Sequence, residues 1–178
     1  EIGSRRPLPG SRLRRIAFGV THHTGDFDRV DGSGLAESGA TSYYLVLDRR
    51  LASRPGAGSP PQAPGEGPGL DGFLQLGSTS DRISAVDLHA GAGLVWTGYL
   101  PGREVDHFGV MATWVRFSGP ARAAGTYTES YELACEIFYR WHLTPWLRLQ
   151  PDLQYIVNPG GSGIDDALVG TLRLELAL

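Results

Sequence analysis

Ala167-Leu168-Val169-Gly170-Thr171-Leu172-Arg173-Leu174-Glu175-Leu176-Ala177-Leu178 closes the chain, and its alternation decides the fold. Leu178, Leu176, Leu174, Leu172, Gly170 and Leu168 share one face of an extended strand, and Ala177, Glu175, Arg173, Thr171, Val169 and Ala167 share the other. One face suits hydrocarbon and the other suits water. Soluble sheets alternate too, but crossing a bilayer takes about 9–11 tilted residues, whereas globular strands cluster near about 5–6. Length therefore favours a membrane strand.

The two segments upstream repeat the pattern. In 129–141, Tyr131, Leu133, Cys135, Ile137, Tyr139 and Trp141 point outward, while Glu132, Ala134, Glu136, Phe138 and Arg140 point inward. In 146–157 the outward set is Leu147, Leu149, Pro151, Leu153, Tyr155 and Val157, and the inward set is Trp146, Arg148, Gln150, Asp152, Gln154 and Ile156. Three adjacent strands thus present Glu132, Glu136, Arg140, Arg148, Gln150, Asp152, Gln154, Arg173 and Glu175 to one side. Facing lipid, each Arg or Lys would cost about 2–4 kcal/mol at the midplane, so these groups must meet water or one another. They are the candidate lining. Outward Tyr131, Tyr139, Trp141 and Tyr155 fall near strand ends, where amphipathic rings anchor at headgroups.

Composition bounds the class. A chain of 178 residues with 41% hydrophobic residues and a mean hydropathy of −0.16 contains no run of 18 apolar residues, which excludes a helical membrane protein. A transmembrane barrel is compatible, because only every second strand residue faces lipid. The 25 glycines and 12 prolines point to an all-β chain with many turns. Eight strands are predicted at 12–21, 41–50, 71–77, 88–99, 106–117, 129–141, 146–157 and 167–178, with Leu88, Ala90, Ala92, Leu94, Trp96 and, just beyond it, Leu100 on one face of the fourth. The fifth is ambiguous, since Trp114 and Arg116 share a parity. A net charge of −3 argues against nucleic acid as a partner despite Arg5, Arg6, Arg12, Arg14 and Arg15, which read as a barrel rim or tail. The single Cys135 permits no internal disulfide and falls on an apolar face. The chain starts Glu1-Ile2-Gly3-Ser4, without initiator Met or signal peptide, and is expected to be part of a longer protein.

Connections at 101–104 and 142–145 are tight, while 118–128 and 158–166 are longer. Outer-membrane barrels have short periplasmic turns and long external loops, so the C-terminus is expected on the periplasmic side. The Pro/Gly-rich segment 51–69, an extended or flexible linker by composition, then falls on the periplasmic side as well. A miscounted strand would explain that conflict.

With these segments in view, the run Tyr99-Leu100-Pro101-Gly102-Arg103-Glu104-Val105-Asp106-His107-Phe108-Gly109-Val110 resembles a turn and strand of the carbohydrate-selective porins of the OprB family. Glu129-Ser130-Tyr131-Glu132, Thr144-Pro145-Trp146-Leu147-Arg148-Leu149-Gln150-Pro151-Asp152-Leu153-Gln154-Tyr155-Ile156 and Asn158-Pro159-Gly160-Gly161 resemble its C-terminal signature. The resemblance covers most of 88–178, and upstream only 39–48 and 72–77. It implies a sixteen-stranded barrel in the outer membrane of a Gram-negative bacterium that passes sugars passively, of which these eight strands would be the C-terminal half. Leu178 departs from the aromatic that usually ends such proteins, and 51–69 reads as an insertion.

The expected fold class is all-β: an antiparallel up-and-down outer-membrane β-barrel of about eight strands, 1–178 being a single segment of it. The expected function is a passive channel for mono- or oligosaccharides, with outer-membrane lipid around it, homo-oligomerisation open, and neither cofactor nor metal. Inward Phe138 or Trp146 would offer a ring face to a sugar. A soluble carbohydrate-binding β-sandwich and a structural barrel with a plugged lumen are the alternatives. Enzyme readings are weaker. Glu132 with Glu136 or Asp152 could mimic a glycosidase pair, but Arg140, Arg148 and Arg173 nearby favour ion pairing. His22 and His23 with Asp26 and Asp28 lack a shared face and read as an exposed loop. Ser162 lacks a nucleophile elbow, and 91–93 lacks a phosphate-loop lysine.

Overall fold

The computed structural model describes residues 2–4, 13–54 and 67–177. They form one antiparallel sheet in which every strand pairs with its sequence neighbours. A short β1 (Ile2–Ser4) precedes eight long strands: β2 (Leu13–Asp28), β3 (Ala36–Ser53), β4 (Gly69–Thr79), β5 (Val86–Thr97), β6 (His107–Phe117), β7 (Tyr131–Thr144), β8 (Leu147–Val157) and β9 (Ala167–Leu176). Helix is confined to α1 (Gly119–Ala123) and a 3-10 turn at Pro159–Gly161. Among the described residues β1 and β9 are the two edges, so the sheet is open.

All eight predicted strands are present, but several boundaries move. β2 and β3 continue their ladder through Asp28 and Ala36, which shortens the predicted 24–39 connection to 29–35. The extension carries Thr, His, Asp and Gly rather than apolar alternation; backbone pairing alone sustains it. His22 and His23 therefore stand in a strand and not in a loop. β1 was not predicted; its Ile2, Gly3 and Ser4 pair with Phe18, Ala17 and Ile16. Thr144 still pairs with Leu147, leaving Pro145 and Trp146 as a two-residue turn. Trp146 is thus on the rim rather than on an inward strand face. The miscounted strand is also ruled out, since the connection between Ser53 and Gly69 opens on the same end as the 145–146 turn and the end of β9. Of the Pro/Gly-rich segment, 55–66 lies outside the described residues, as do Leu178 and most of the N-terminal arginine cluster.

Strand register assigns the faces. One line of directly opposed residues runs Leu153, Ile137, Val110, Leu94, Gly72, Arg49. It starts in the middle of β8 and ends near the terminus of β3, a stagger of about one residue per strand of the kind tilted barrel strands require. The apolar faces of β7, β8 and β9 meet along these ladders, as do the polar faces. Ambiguity in β6 resolves in the same way: Arg116 lies beside Trp114 on the apolar face, and its guanidinium donates two hydrogen bonds to the buried Asp87 carboxylate, at 2.9 and 2.6 Å.

No second sheet covers the apolar face among the described residues. The only buried hydrophobic side chains described are Ala17, Phe117 and Ala121, whereas Leu168, Leu172 and Leu174 are 68%, 69% and 60% exposed. A soluble sandwich would bury its leucines against an opposing sheet, so that alternative fails. A single layer with one apolar face is stable only where hydrocarbon covers that face. The face is bordered by rings. Near the 145–146 end Trp96 lies 5.6 Å from Phe108 and Tyr139 lies 5.2 Å from Trp141; the Tyr139 hydroxyl donates to Asp106 at 3.0 Å. Near the other end the Tyr155 hydroxyl donates to Asp166 at 2.6 Å. Rings at both borders, hydroxyls bound to loop carboxylates, match the interfacial girdles expected from the sequence.

The opposite end carries the connections 29–35, 80–85, 118–130 and 158–166. Two of these lock together: Phe117 stacks on Tyr127 at 4.1 Å and packs against Gly161, whose carbonyl accepts from the backbone N–H of Thr128 and Glu129. Ser118 caps α1 by accepting from the Ala121 N–H at 3.3 Å.

Candidate functional site

The polar face carries every residue predicted for the lining, and the register sets them in cross-strand pairs. Glu136 faces Gln154, Phe138 faces Asp152, Arg148 faces Glu175, and Gln150 faces Arg173. Period-two alternation makes this automatic once the turns fix the register.

Hydrogen bonds follow these pairs. The Gln154 amide donates to Glu136 at 2.9 Å, and the Arg140 guanidinium donates to the Gln150 carbonyl oxygen at 2.8 Å. Arg148 forms an ion pair with Glu175, and the Thr171 hydroxyl donates to Asp152. Glu132 turns toward the loop end and accepts the Gly160 N–H at 2.5 Å. Glu132, Glu136 and Asp152 are each hydrogen-bonded to a separate partner. Arg173 has neither an ion pair nor a side-chain hydrogen bond among the described residues, and Asp152 Oδ1 and Arg148 Nε are buried without a partner. Of these groups Arg173 is exposed and open to water.

The polar face extends well beyond these three strands. Across β3 and β4, Arg50 donates to Asp71 at 2.6 Å and to the carbonyls of Gly67 and Pro68, both at 2.7 Å, fastening one end of the long connection to the wall. Asp48, Gln75, His89, His107 and Thr113 share the face by register. At the 145–146 end Asp106, nearly fully buried, accepts from the His142 N–H at 2.8 Å as well as from Tyr139. His107 meets Thr97 at 3.0 Å, and its ring lies 5.4 Å from that of His142. Sequence reasoning missed these residues. The same alternation in 41–50 and 71–77 marks Asp48, Arg50, Asp71 and Gln75, whereas Asp106, sitting where loop becomes strand, has no periodic signal.

Space on this face is set by glycine. Tyr44 lies over Gly19, Phe73 over Gly93 and Phe138 over Gly109, so closely that a Cβ on any of these glycines would strike the ring. The rings lie flat along the wall instead of projecting from it, an arrangement that also shields backbone glycine in twisted sheets. Phe138 does face inward as predicted.

His22 Nδ1 lies 2.9 Å from Thr41 Oγ1, and His23 Nδ1 accepts from the Gly25 N–H at 3.0 Å, so the two histidines act separately. No group of three or more potential metal ligands occurs among the described residues.

This architecture has counterparts. Porin B of Pseudomonas aeruginosa is 24% identical over 201 aligned residues, covering 98% of this chain and 42% of that protein. The structure of OprB from Pseudomonas putida at high pH superposes with a TM-score of 0.84 at 21% identity, covering 98% of this chain and 46% of that one. The chain thus spans about half the length of either relative. Residues 16–178 match the family described as carbohydrate-selective porin, OprB family. A sheet with one lipid-suited face, ringed borders and a paired polar wall, matched by that family over nearly its whole length, belongs to the OprB porin family.

Proposed function

We propose that this chain forms one side of a passive channel through which neutral sugars cross the outer membrane of a Gram-negative bacterium. The carrying observation is the polar face: its charges are mixed in sign and paired across strands, so no single-sign ring is present on β7–β9 to select ions. A neutral, hydroxyl-rich solute can exchange part of its hydration for the carboxylate, amide and guanidinium groups of Glu136, Asp152, Gln154 and Arg173, whereas Gln150 is buried behind Arg140. Phe138, flat on the wall, offers a ring face to the apolar side of a pyranose. Contacts this dispersed keep binding weak, which lets the solute leave.

The open edges at β1 and β9 must be paired for the sheet to exist in lipid, because unpaired backbone groups there are prohibitively costly. In this reading these eight long strands are half of a sixteen-stranded barrel, and the other half completes the ring. The C-terminal end faces the periplasm and the 29–35, 80–85, 118–130 and 158–166 loops face outward. The chemistry is translocation, with no bond made or broken.

Reconstitution of the complete barrel into liposomes tests the proposal. Swelling in isotonic monosaccharide or disaccharide, together with single-channel current in planar bilayers, is the expected result. Insertion without current would instead establish the plugged barrel.

A further inference from the structure

Gly72, Ala92 and Ala112 lie on adjacent strands of the apolar face, where neighbouring ladders carry leucine. Their small side chains leave a trough of about 810 Å³ on β3–β6, bordered by Leu51 and Leu94. Arg49 stands at the end of the trough nearest the 145–146 turn end, exposed, with no ion pair or side-chain hydrogen bond among the described residues. Its charged companions at outward positions, Arg116 and Glu37, are paired with Asp87 and Arg82. No carboxylate lies directly opposite Arg49 or along its line of opposed residues on β4–β8.

We infer that this trough binds one anionic phospholipid of the periplasmic leaflet, with its phosphate on Arg49 and an acyl chain lying diagonally over Gly72, Ala92 and Ala112. Arg49 sits at strand height near the interface, where a lipid-facing arginine costs only about 0–1 kcal/mol and a phosphate offsets that cost. A guanidinium meets a phosphate through parallel N–H donors. A second copy of this chain fits less well, because the carboxylates at its outward face, Glu37 and Asp87, are already paired with Arg82 and Arg116. The inference rests on the membrane-barrel reading.

Native mass spectrometry of the folded protein, delipidated in detergent and titrated with phosphatidylglycerol or phosphatidylcholine, provides the test. The wild type should retain phosphatidylglycerol about tenfold better than phosphatidylcholine. Arg49→Gln should bring that ratio to about one, and Ala92→Leu, which fills the trough without touching the charge, should reduce retention of both lipids at least threefold. An unchanged ratio in Arg49→Gln overturns the site, as does a dimer whose contact displaces the lipid and is lost in Ala92→Leu. Failure of the wild type to insert into vesicles at all is a separate result, and would count against the barrel reading itself.

Discussion

Replacing Leu153 with arginine separates a sheet facing lipid from one facing water. Leu153 lies in the middle of β8, opposite Ile137 on one side and Gly170 on the other, and is 46% exposed. On a water-facing sheet an exposed leucine tolerates arginine within about 0.5 kcal/mol. At a bilayer midplane the same change costs about 2–4 kcal/mol, which is roughly a 30- to 900-fold shift in the folding equilibrium. The neighbouring residue supplies the control. Gln154 lies on the other face with its amide 2.9 Å from Glu136, so Gln154→Arg replaces a hydrogen bond by an ion pair and should change stability by less than about 1 kcal/mol. Reversible guanidinium unfolding in phospholipid vesicles, followed by tryptophan fluorescence, measures both. Equal costs at 153 and 154, or a neutral Leu153→Arg, would refute the assignment of faces.

Gly93→Val should destabilise by about 1–3 kcal/mol in the same assay, since its Cβ would lie 2.5 Å from the Phe73 ring and 2.8 Å from Met111 Cβ, which is anchored to its own backbone. Arg50→Ala frees the Gly67 and Pro68 carbonyls, and limited proteolysis should cut the connection between Ser53 and Gly69 at least several-fold faster while the strands stay protected. An epitope placed after Ala124 should bind antibody on intact cells, whereas one after Gly102 should need permeabilised cells; the reverse pattern inverts the orientation. In the 29–35 loop, hydrogen bonds from the Ser33 side chain and backbone, helped by Arg29, hold the Asp31 carboxyl below its ordinary value. A lowered folded-state value means that the turn's stabilisation is complete above the ordinary carboxylate range and is lost as pH falls through the lowered value. The protection of the Ser33 amide relative to its intrinsic exchange rate should therefore fall on acidification in the wild type and not in Asp31→Asn.

The polar face was legible in sequence to the extent that alternation ran unbroken. Glu136, Arg148, Gln154 and Arg173 needed only parity, because a residue two positions along a strand returns to the same face whatever surrounds it. Arg50, Asp71 and Asp106 needed more. Arg50 reads as one more charge at the edge of a strand until Gly67, Pro68 and Asp71 are seen around it. Asp106 is a loop aspartate until β7 brings Tyr139 and His142 against it. Trp146 erred by one position of turn geometry, and the lengths of β2 and β3 by the fact that backbone ladders continue where apolar patterning stops.

By itself the sequence determined the eight long strands, the two faces of most of them and the ringed borders, since these depend on local periodicity and on the preference of each side chain for lipid or water. Tertiary structure decided which charges neutralise one another, which rings lie over which glycines, and where small residues leave the outer wall hollow. Those features depend on register across strands far apart in the chain, and register is fixed only when every turn and bulge between them has been made.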